Sequence, residues 1–472
     1  MTIQSVDIRP FELHNLTTHG GELRVRPAFN KQYTVPDGYS ISFAFSLISP
    51  QTNEVNHYIF RRNTTSGQTT ILMTNEEFQT QTSLDIGTLQ KDAVITYAVS
   101  NNAFLINSPH MASAVYGLVG GGIELAKSQP SVNEVNTSHL PEIPRGLCCS
   151  FGGRIAIADG NDVYFNDGGV EIRAFVGENV TALAGGVYEM FEGPGGALIF
   201  VTPNGSYGLP SSALDNGQEV FGSLSQVSTY SANRYRNAVY GSGQIWGLTQ
   251  RNLQVITASQ DVDLAGFNRK RYYTKYVGPG PLGTYQIASI WPTVHGVVIS
   301  IEGKLCVVDS ADMKPRWYYS DNDLTLVGMC SSIEGTDLFV FPDSICELIG
   351  NRKEQGTEIR GFACGQVPTD PVMSPVVRAI TTISDNVGYS QFSFIGNRAT
   401  SHVTPAPSGA TTIIDSSKWD QTQNFSGRDI RSRKHFHAYR TDDFSLEVGA
   451  ETPLCTLGII DIEIKGISPM RD

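Results

Sequence analysis

One pattern constrains this chain more than any other: a hairpin with a polar turn that keeps returning through its middle. GGRIAIADGNDVYFND begins at Gly152, SGQIWGLTQRNLQVITA at Ser242, HGVVISIEGKLCVVDSA at His295 and EGTDLFVFPDSICELIG at Glu334. GGALIFVTPNGSYGLPS, beginning at Gly195, is a looser member. Each has a Gly near its start, an alternating apolar arm, a short polar turn and a second apolar arm. Period-2 alternation marks half-buried strands. The starts lie about 40 to 50 residues apart, the repeat length of a propeller blade. A blade needs four strands, and segments such as VEIRAFVGENVTALAGG and LTLVGMCSSI supply the remaining two. Radial stacking of such sheets protects their edges. The chain reads as all-β, with β-propeller blades over residues 146–380 and a blade number that the imperfect repeats leave open.

The flanking segments carry other patterns. Residues 1–35 read as an N-terminal docking segment. Over 36–110, HYIFRRNTTSGQTTILM and TSLDIGTLQKDAVITYAVSNN resemble the later strands of a fibronectin type III-like β-sandwich. Tyr58, Ile59 and Phe60 open one strand there, and Ile95, Tyr97 and Val99 alternate on another. Residues 111–145, with GLVGGG and scattered Pro, Asn and Ser, read as a connection. Residues 381–472 return to strand patterns in SQFSFIG, FSLEVGA and LGIIDIEIKG. In the last of these, Ile460, Ile462 and Ile464 alternate with Asp461, Glu463 and Lys465, as in a strand tied into a sheet. This C-terminal region is expected to build an additional β platform.

Charge limits the partners. Of 472 residues only 17% are charged, and 46 acidic against 34 basic residues give a net charge of −12. A protein that grips phosphates leans basic instead. The opening MTIQSVDIRPFELHN has no apolar h-region, so no signal peptide is expected, and no run approaches the roughly 18 apolar residues of a membrane helix. Seven cysteines are too few and scattered for a disulfide scaffold, and a bridge between adjacent Cys148 and Cys149 is strained. They are expected to be reduced thiols in a protein made in the cytoplasm.

The residues that suggest chemistry also have simpler roles. Asp159, Asn161, Asp162 and Asp167 gather around one turn, but their spacing fits no calcium loop, and Val163, Tyr164 and Phe165 resume a strand at once. Asn, Asp and Gly are also the residues of hairpin turns, which is the reading adopted. His435 and His437 share a strand face, yet HExxH, zinc quartets, GxSxG and the P-loop are all missing. Asp309, Asp312 and Asp343 are the carboxylates that several blades could converge; loop aspartates are more often turn residues. No enzymatic activity, metal or cofactor is expected.

Two basic clusters stand out. Arg269, Lys270, Arg271, Tyr272 and Tyr273 form one. Arg428, Arg431, Arg433, Lys434, Phe436, Tyr439 and Arg440 form the other. Arg and Lys interleaved with aromatics suit subunit or partner contacts first, then a solvated loop, then nucleic acid.

KLCVVDSADMKPRWYYSDND, from Lys304 to Asp323, resembles a segment of the tail nozzle proteins of short-tailed bacteriophages, also called tail hub or packaged-DNA-stabilisation proteins. A strand ending in Asp309 is followed by a polar loop and a Pro-x-Trp, here Pro315 and Trp317. LPEIPRGLCCSFGGRIAIADGNDVYFND, and a basic stretch followed by closing strands, are similar to the same family. The resemblance implies a structural virion protein, made in the host cytoplasm and placed in the tail. It implies a homo-oligomeric ring, commonly of six copies, below the portal or adaptor protein and in contact with tail fibre or tail tip proteins. Double-stranded DNA would pass through the ring without sequence-specific binding, and no membrane insertion follows. A β-propeller glycan-binding module or glycan-processing enzyme is the competing reading.

Overall fold

Six four-stranded antiparallel meanders and a three-stranded one follow one another along the chain, spanning residues 39–88, 96–125, 147–182, 189–228, 238–263, 288–318 and 328–349. They are the blades of a seven-bladed β-propeller, numbered here in that order. The computed structural model describes residues 3–6, 12–19, 22–129, 140–166, 171–210, 223–249, 252–256, 260–264, 288–301, 303–320 and 322–349. Short strands at 214–215, 218–219 and 353–354 and strands at 357–366, 375–384, 389–395, 400–403, 430–440, 443–449 and 456–466 complete the description.

Blade 7 takes only three strands from its own stretch of chain. Its fourth is Ala28–Thr34, which pairs antiparallel with Ser344–Ile349, Phe29 opposite Leu348 and Tyr33 opposite Ile345. The N-terminal side of the propeller thus closes the ring. Inner strands of successive blades lie side by side around the axis: Thr96–Ser100 beside Leu147–Phe151, and Gly328–Ser331 beside Tyr39–Ile48 across the closure.

Packing explains why the hairpin arms are so apolar. Within Leu198–Thr202, Leu198 and Phe200 pack towards blade 3, while Ile199 and Val201 pack towards blade 5. Ile155 and Ile157 face blade 2, and Ala156 and Ala158 face blade 4. Leu338 and Val340 face blade 1, and Phe339 and Phe341 face blade 6. A middle strand of a blade is therefore buried on both faces, as the wholly buried run Leu198–Thr202 shows. The expectation of half-buried strands is corrected here, because each sheet is enclosed by two neighbours.

The sequence-based boundaries also shift. Residues 36–110 hold blade 1 and the first two strands of blade 2, rather than a separate sandwich. Val115–Leu118 and Ile123–Leu125, in the expected connection 111–145, complete blade 2. The propeller occupies residues 28–349 instead of 146–380.

Beyond blade 7 the chain turns back. Blade 6 ends in Pro315–Tyr318, and Glu12–His14 pairs parallel with it, followed by Arg360–Gln366, Asp443–Gly449, Tyr389–Ile395 and Thr400–Val403 in one nine-stranded sheet. A second sheet joins Leu16–His19, Glu22–Val25, Thr456–Gly466, Pro375–Ser384 and Ile430–Arg440, with Ile3–Val6 also on Thr456–Gly466. Both ends of the chain thus build a platform grafted onto the edge of blade 6.

Candidate functional site

The turn at Asp159 to Asp162 shows what the polar hairpin tips do. Gly160, at φ 62°, allows the reversal, and Asp159 pairs with Asp162 across it. The Asn161 carbonyl accepts from Leu183 N at 2.7 Å and the Gly160 carbonyl from Val187 N at 3.1 Å. The same arrangement recurs as Leu89 N on Gly67 O, Ala232 N on Thr202 O and Leu324 N on Gly303 O. In blades 1, 3, 4 and 6 the connection to the next blade is hung on the turn between the second and third strands of the blade it leaves. These turns are architecture. Asp167 lies outside the described residues.

The motif residues have structural work. Asp309 Oδ1 accepts from Ala311 N at 2.8 Å, fixing the turn before the outer strand of blade 6. Pro315 begins that strand, and Trp317 is buried against Trp246, Val297 and Ile299 between blades 5 and 6. Asp312 is paired with Arg316, and Asp343 with Lys31 at 2.8 Å. Asp309 and Asp312 lie in a turn between third and fourth strands, Asp343 in one between second and third. Alternation of strand direction puts these on opposite faces of the propeller, so the three carboxylates do not converge.

Arg269, Lys270, Arg271, Tyr272 and Tyr273, in the stretch between blades 5 and 6, lie outside the described residues, as does Arg428. Arg431, Arg433, Lys434, Phe436, Tyr439 and Arg440, with His435 and His437, fall on Ile430–Arg440, where the backbone alone is described. That strand ends its sheet and pairs only with Pro375–Ser384 among the described strands. Five described cysteines, Cys148, Cys149, Cys306, Cys330 and Cys346, carry no disulfide, and burial pushes Cys148 and Cys330 up to about 12. Such thiols are inert.

Sequence reasoning missed the cluster at the propeller axis. Glu189 begins the inner strand of blade 4, and Arg236 lies in the connection that enters blade 5. Both side chains are half-buried. The Arg236 guanidinium stands 4.6 Å from the Trp291 ring of blade 6 and 6.0 Å from Phe43 of blade 1. One residue therefore touches aromatic rings from two further blades across the axis. Its backbone is left-handed, at φ 61°, and its carbonyl accepts from Ile290 N at 2.9 Å. A non-glycine residue held there is strained, and such strain persists only where the surroundings impose it. Its Nη2 is buried without a protein partner.

Glu189 Oε1 accepts from Asn237 N at 2.9 Å. Burial nevertheless raises its carboxyl to about 8, because the Asn237 amide and the Arg236 charge only partly offset desolvation. Burial likewise lowers Arg236 to about 10, Glu189 opposing it. Around the pair, Tyr235 contacts the Tyr188 ring at 5.3 Å and the His110 ring at 6.4 Å. The segment SANRYRNAVY interleaves arginine with aromatics, the signal used for the other basic clusters, and would have marked Arg236. Nothing in the sequence pairs it with Glu189, because the meeting depends on ring closure.

Two cavities flank the blades. One of about 670 Å³ lies between blades 4 and 5 on the connection face, lined by Tyr230, Asn233, Arg234, Asn237, Thr249 and Gln254 among others. The Tyr230 hydroxyl proton is shared between Asn237 O and Leu248 O there, at 2.8 and 3.0 Å, and its ring lies over Gly247, where an added Cβ would overlap it. The other, about 290 Å³, lies between blades 6 and 7 on the opposite face, with His295, Asp309, Arg316 and Asp337 in its wall. Asp337 is spent on Val294 N, at 3.1 and 3.2 Å. Among the described residues no three His, Cys, Asp or Glu side chains gather as a metal site, and no helix is long and apolar enough to cross a membrane.

No protein-family profile matches the chain. No curated protein matches it either. Solved structures do align at low similarity. A streptogramin B lyase structure is 11% identical, covering 68% of this chain and 97% of that one, with a TM-score of 0.39. The WD40 domain of Pan2 from Neurospora crassa is 11% identical over 69% of this chain and 100% of that one, TM-score 0.38. YCF48 bound to a D1 peptide is 10% identical over 69% and 98%, TM-score 0.38. None of these transfers an activity to this chain.

Proposed function

We propose that the chain is a structural virion protein, a tail nozzle subunit of a short-tailed bacteriophage. Copies of it would form a ring below the portal or adaptor, continue the DNA exit channel and help retain packaged DNA. The observation that supports this reading is the graft: the outer strand of blade 6 continues directly into a sheet built from both chain ends. A propeller joined through backbone hydrogen bonds is an arm of fixed direction, suited to projecting from a ring, whereas a recognition module on a linker would swing. The charge of −12 agrees, since a neutral or acidic wall lets duplex pass without gripping its phosphates. Tail fibre or tail tip proteins would dock on the ring's far side.

The test is assembly. Purified protein at micromolar concentration, measured by mass photometry and electron microscopy, should give closed rings, commonly of six copies, with propellers at the periphery. A monomer across the concentration range, and its absence from the tail of the parent particle, would overturn the reading.

A second reading, a glycan-binding or glycan-processing propeller, is favoured by one observation: a carboxyl raised to about 8 beside a cation at the axis, the property expected of a general acid. Polysaccharide turnover by the pure protein, lost in Glu189→Gln, would support it over the structural one.

A further inference from the structure

We propose that the axial cluster is a binding site for a small carboxylate, held by the buried, unpaired Nη2 of the Arg236 guanidinium beside Trp291, with Glu189 as a hydrogen-bonding neighbour. The inference is independent of whether the chain assembles into a ring. Its basis is geometry first. Arg236 is drawn into a strained backbone conformation, its carbonyl is fixed by Ile290 N, and one face of its guanidinium is set 4.6 Å from the Trp291 ring. Trp291 is itself locked, donating Nε1 to Ser289 Oγ at 2.9 Å. Yet Nη2 of this positioned guanidinium is buried and bonds no protein atom. A buried charged donor left without an acceptor carries an uncompensated desolvation penalty, so an oxygen acceptor there has a large advantage.

Charge then selects the ligand class. The groups facing Glu189 are Arg236 and the Asn237 and Ala238 amides, with Tyr230 and Tyr235 near enough to feel its charge. Tyr188 and His110 complete the surroundings through Tyr235. With Glu189 protonated below about pH 8 and Arg236 cationic, the cluster holds one uncompensated positive charge. A monoanion balances that charge and a dianion exceeds it. A carboxylate also offers planar oxygens to the guanidinium and accepts the Glu189 proton in a hydrogen bond. As pH rises through about 8, ionised Glu189 repels the ligand and competes for Arg236, so affinity falls.

The experiment is calorimetric titration of the whole protein with acetate and with glucuronate, and with glucose as the uncharged control, from pH 6.5 to 9. Trp emission gives a second readout. At pH 6.5 at least one carboxylate should bind saturably and glucose should not. Affinity should drop about tenfold by pH 9, the ratio expected one unit above the Glu189 value. Arg236→Met should lose at least about tenfold in affinity, and Glu189→Gln should keep binding while losing the pH dependence. Failure of both carboxylates with the wild-type protein, equal binding of glucose, or unchanged binding in Arg236→Met would overturn the proposal. Should Arg236→Met not fold, the wild-type pH series decides alone: a flat profile rejects it.

Discussion

Arg26 is wholly enclosed and yet charged, and its partners explain how the fold tolerates it. The guanidinium donates to Asn15 Oδ1 at 2.9 Å, Pro27 O at 2.9 Å and Tyr319 O at 2.8 Å, and pairs with Glu354 at 2.6 Å. Phe29 and Tyr318 cover it at 5.0 and 5.5 Å. A single side chain thus ties the start of the closing strand to the end of blade 6. Arg26→Met strands Glu354 beside apolar rings and should cost about 3–5 kcal/mol, read as a lowered urea midpoint. Lys31→Ala, which removes the exposed pair with Asp343, should cost less than about 1 kcal/mol and serves as the contrast. Comparable losses from the two would mean that Arg26 is not the pin. Glu189 acts in the opposite sense. Its folded value, about 8, lies above its ordinary 4.5, so the folded state keeps a proton that the unfolded chain releases. Stability from this group is full below about pH 4.5 and is lost as pH rises towards 8. Glu189→Gln cannot ionise and should gain on the wild type between pH 5 and pH 8. Parallel stability curves for the two proteins would show that Glu189 titrates normally.

At the scale of elements, the closing strand decides whether blade 7 is complete. Ala28–Thr34 contributes backbone pairing along Ser344–Ile349 and one anchor, Phe29, edge-on to Phe339 and Phe341 at 5.3 Å each. Each such ring pair adds about 0.5–1.5 kcal/mol beyond burial. A protease site placed at exposed Asp37 should therefore yield a nicked protein whose N-terminal fragment still co-elutes with the propeller. Adding Arg26→Met should lower the urea concentration at which it dissociates, with Glu12–His14 and Ile3–Val6 still pairing in the platform. Release from the singly nicked protein would show that covalent continuity, and not pairing, holds the ring shut. This strand was invisible in the sequence for a physical reason: Asn30, Lys31 and Gln32 meet solvent, so the apolar alternation is missing. The hairpins from Gly152 onward were legible because both faces are enclosed and their turns are short. Blade 1 was misread because Tyr39–Ile48 and Val55–Asn63, at ten and nine residues, are longer than the later blade strands and look like sandwich strands. Asp309, Pro315 and Trp317 were legible as a motif, but their roles are a turn, a strand start and a core ring. The pairing at the axis was not legible, even though SANRYRNAVY marks Arg236, since Glu189, Arg236, Trp291 and Phe43 come from four blades that only closure brings together.

For the molecule as a whole, the open question of assembly falls on the platform edge. Ile430–Arg440 terminates its sheet, with Arg433 opposite Thr381 and Lys434 opposite Ile380, and its other side meets no described strand. A long edge strand is a template for pairing with another chain, and lysines or arginines on it normally prevent that. The same cations favour a partner whose surface is acidic, and a second copy of a chain at −12 offers acidic surface widely. The proposed ring makes these alternatives distinguishable. If the edge is a contact, changing Arg431, Arg433 and Lys434 together to Glu places like charges against an acidic neighbour and should abolish rings, or weaken them with a steep salt dependence. The propeller lies on separate sheets apart from the blade 6 graft, so its Trp emission and urea midpoint should stay within about 0.5 kcal/mol of wild type. Rings that form normally but release DNA faster or slower would place the cations on the channel wall instead. Rings and DNA retention both unchanged would leave the edge as a solvated, protected strand, and the interface would have to be sought elsewhere on the platform.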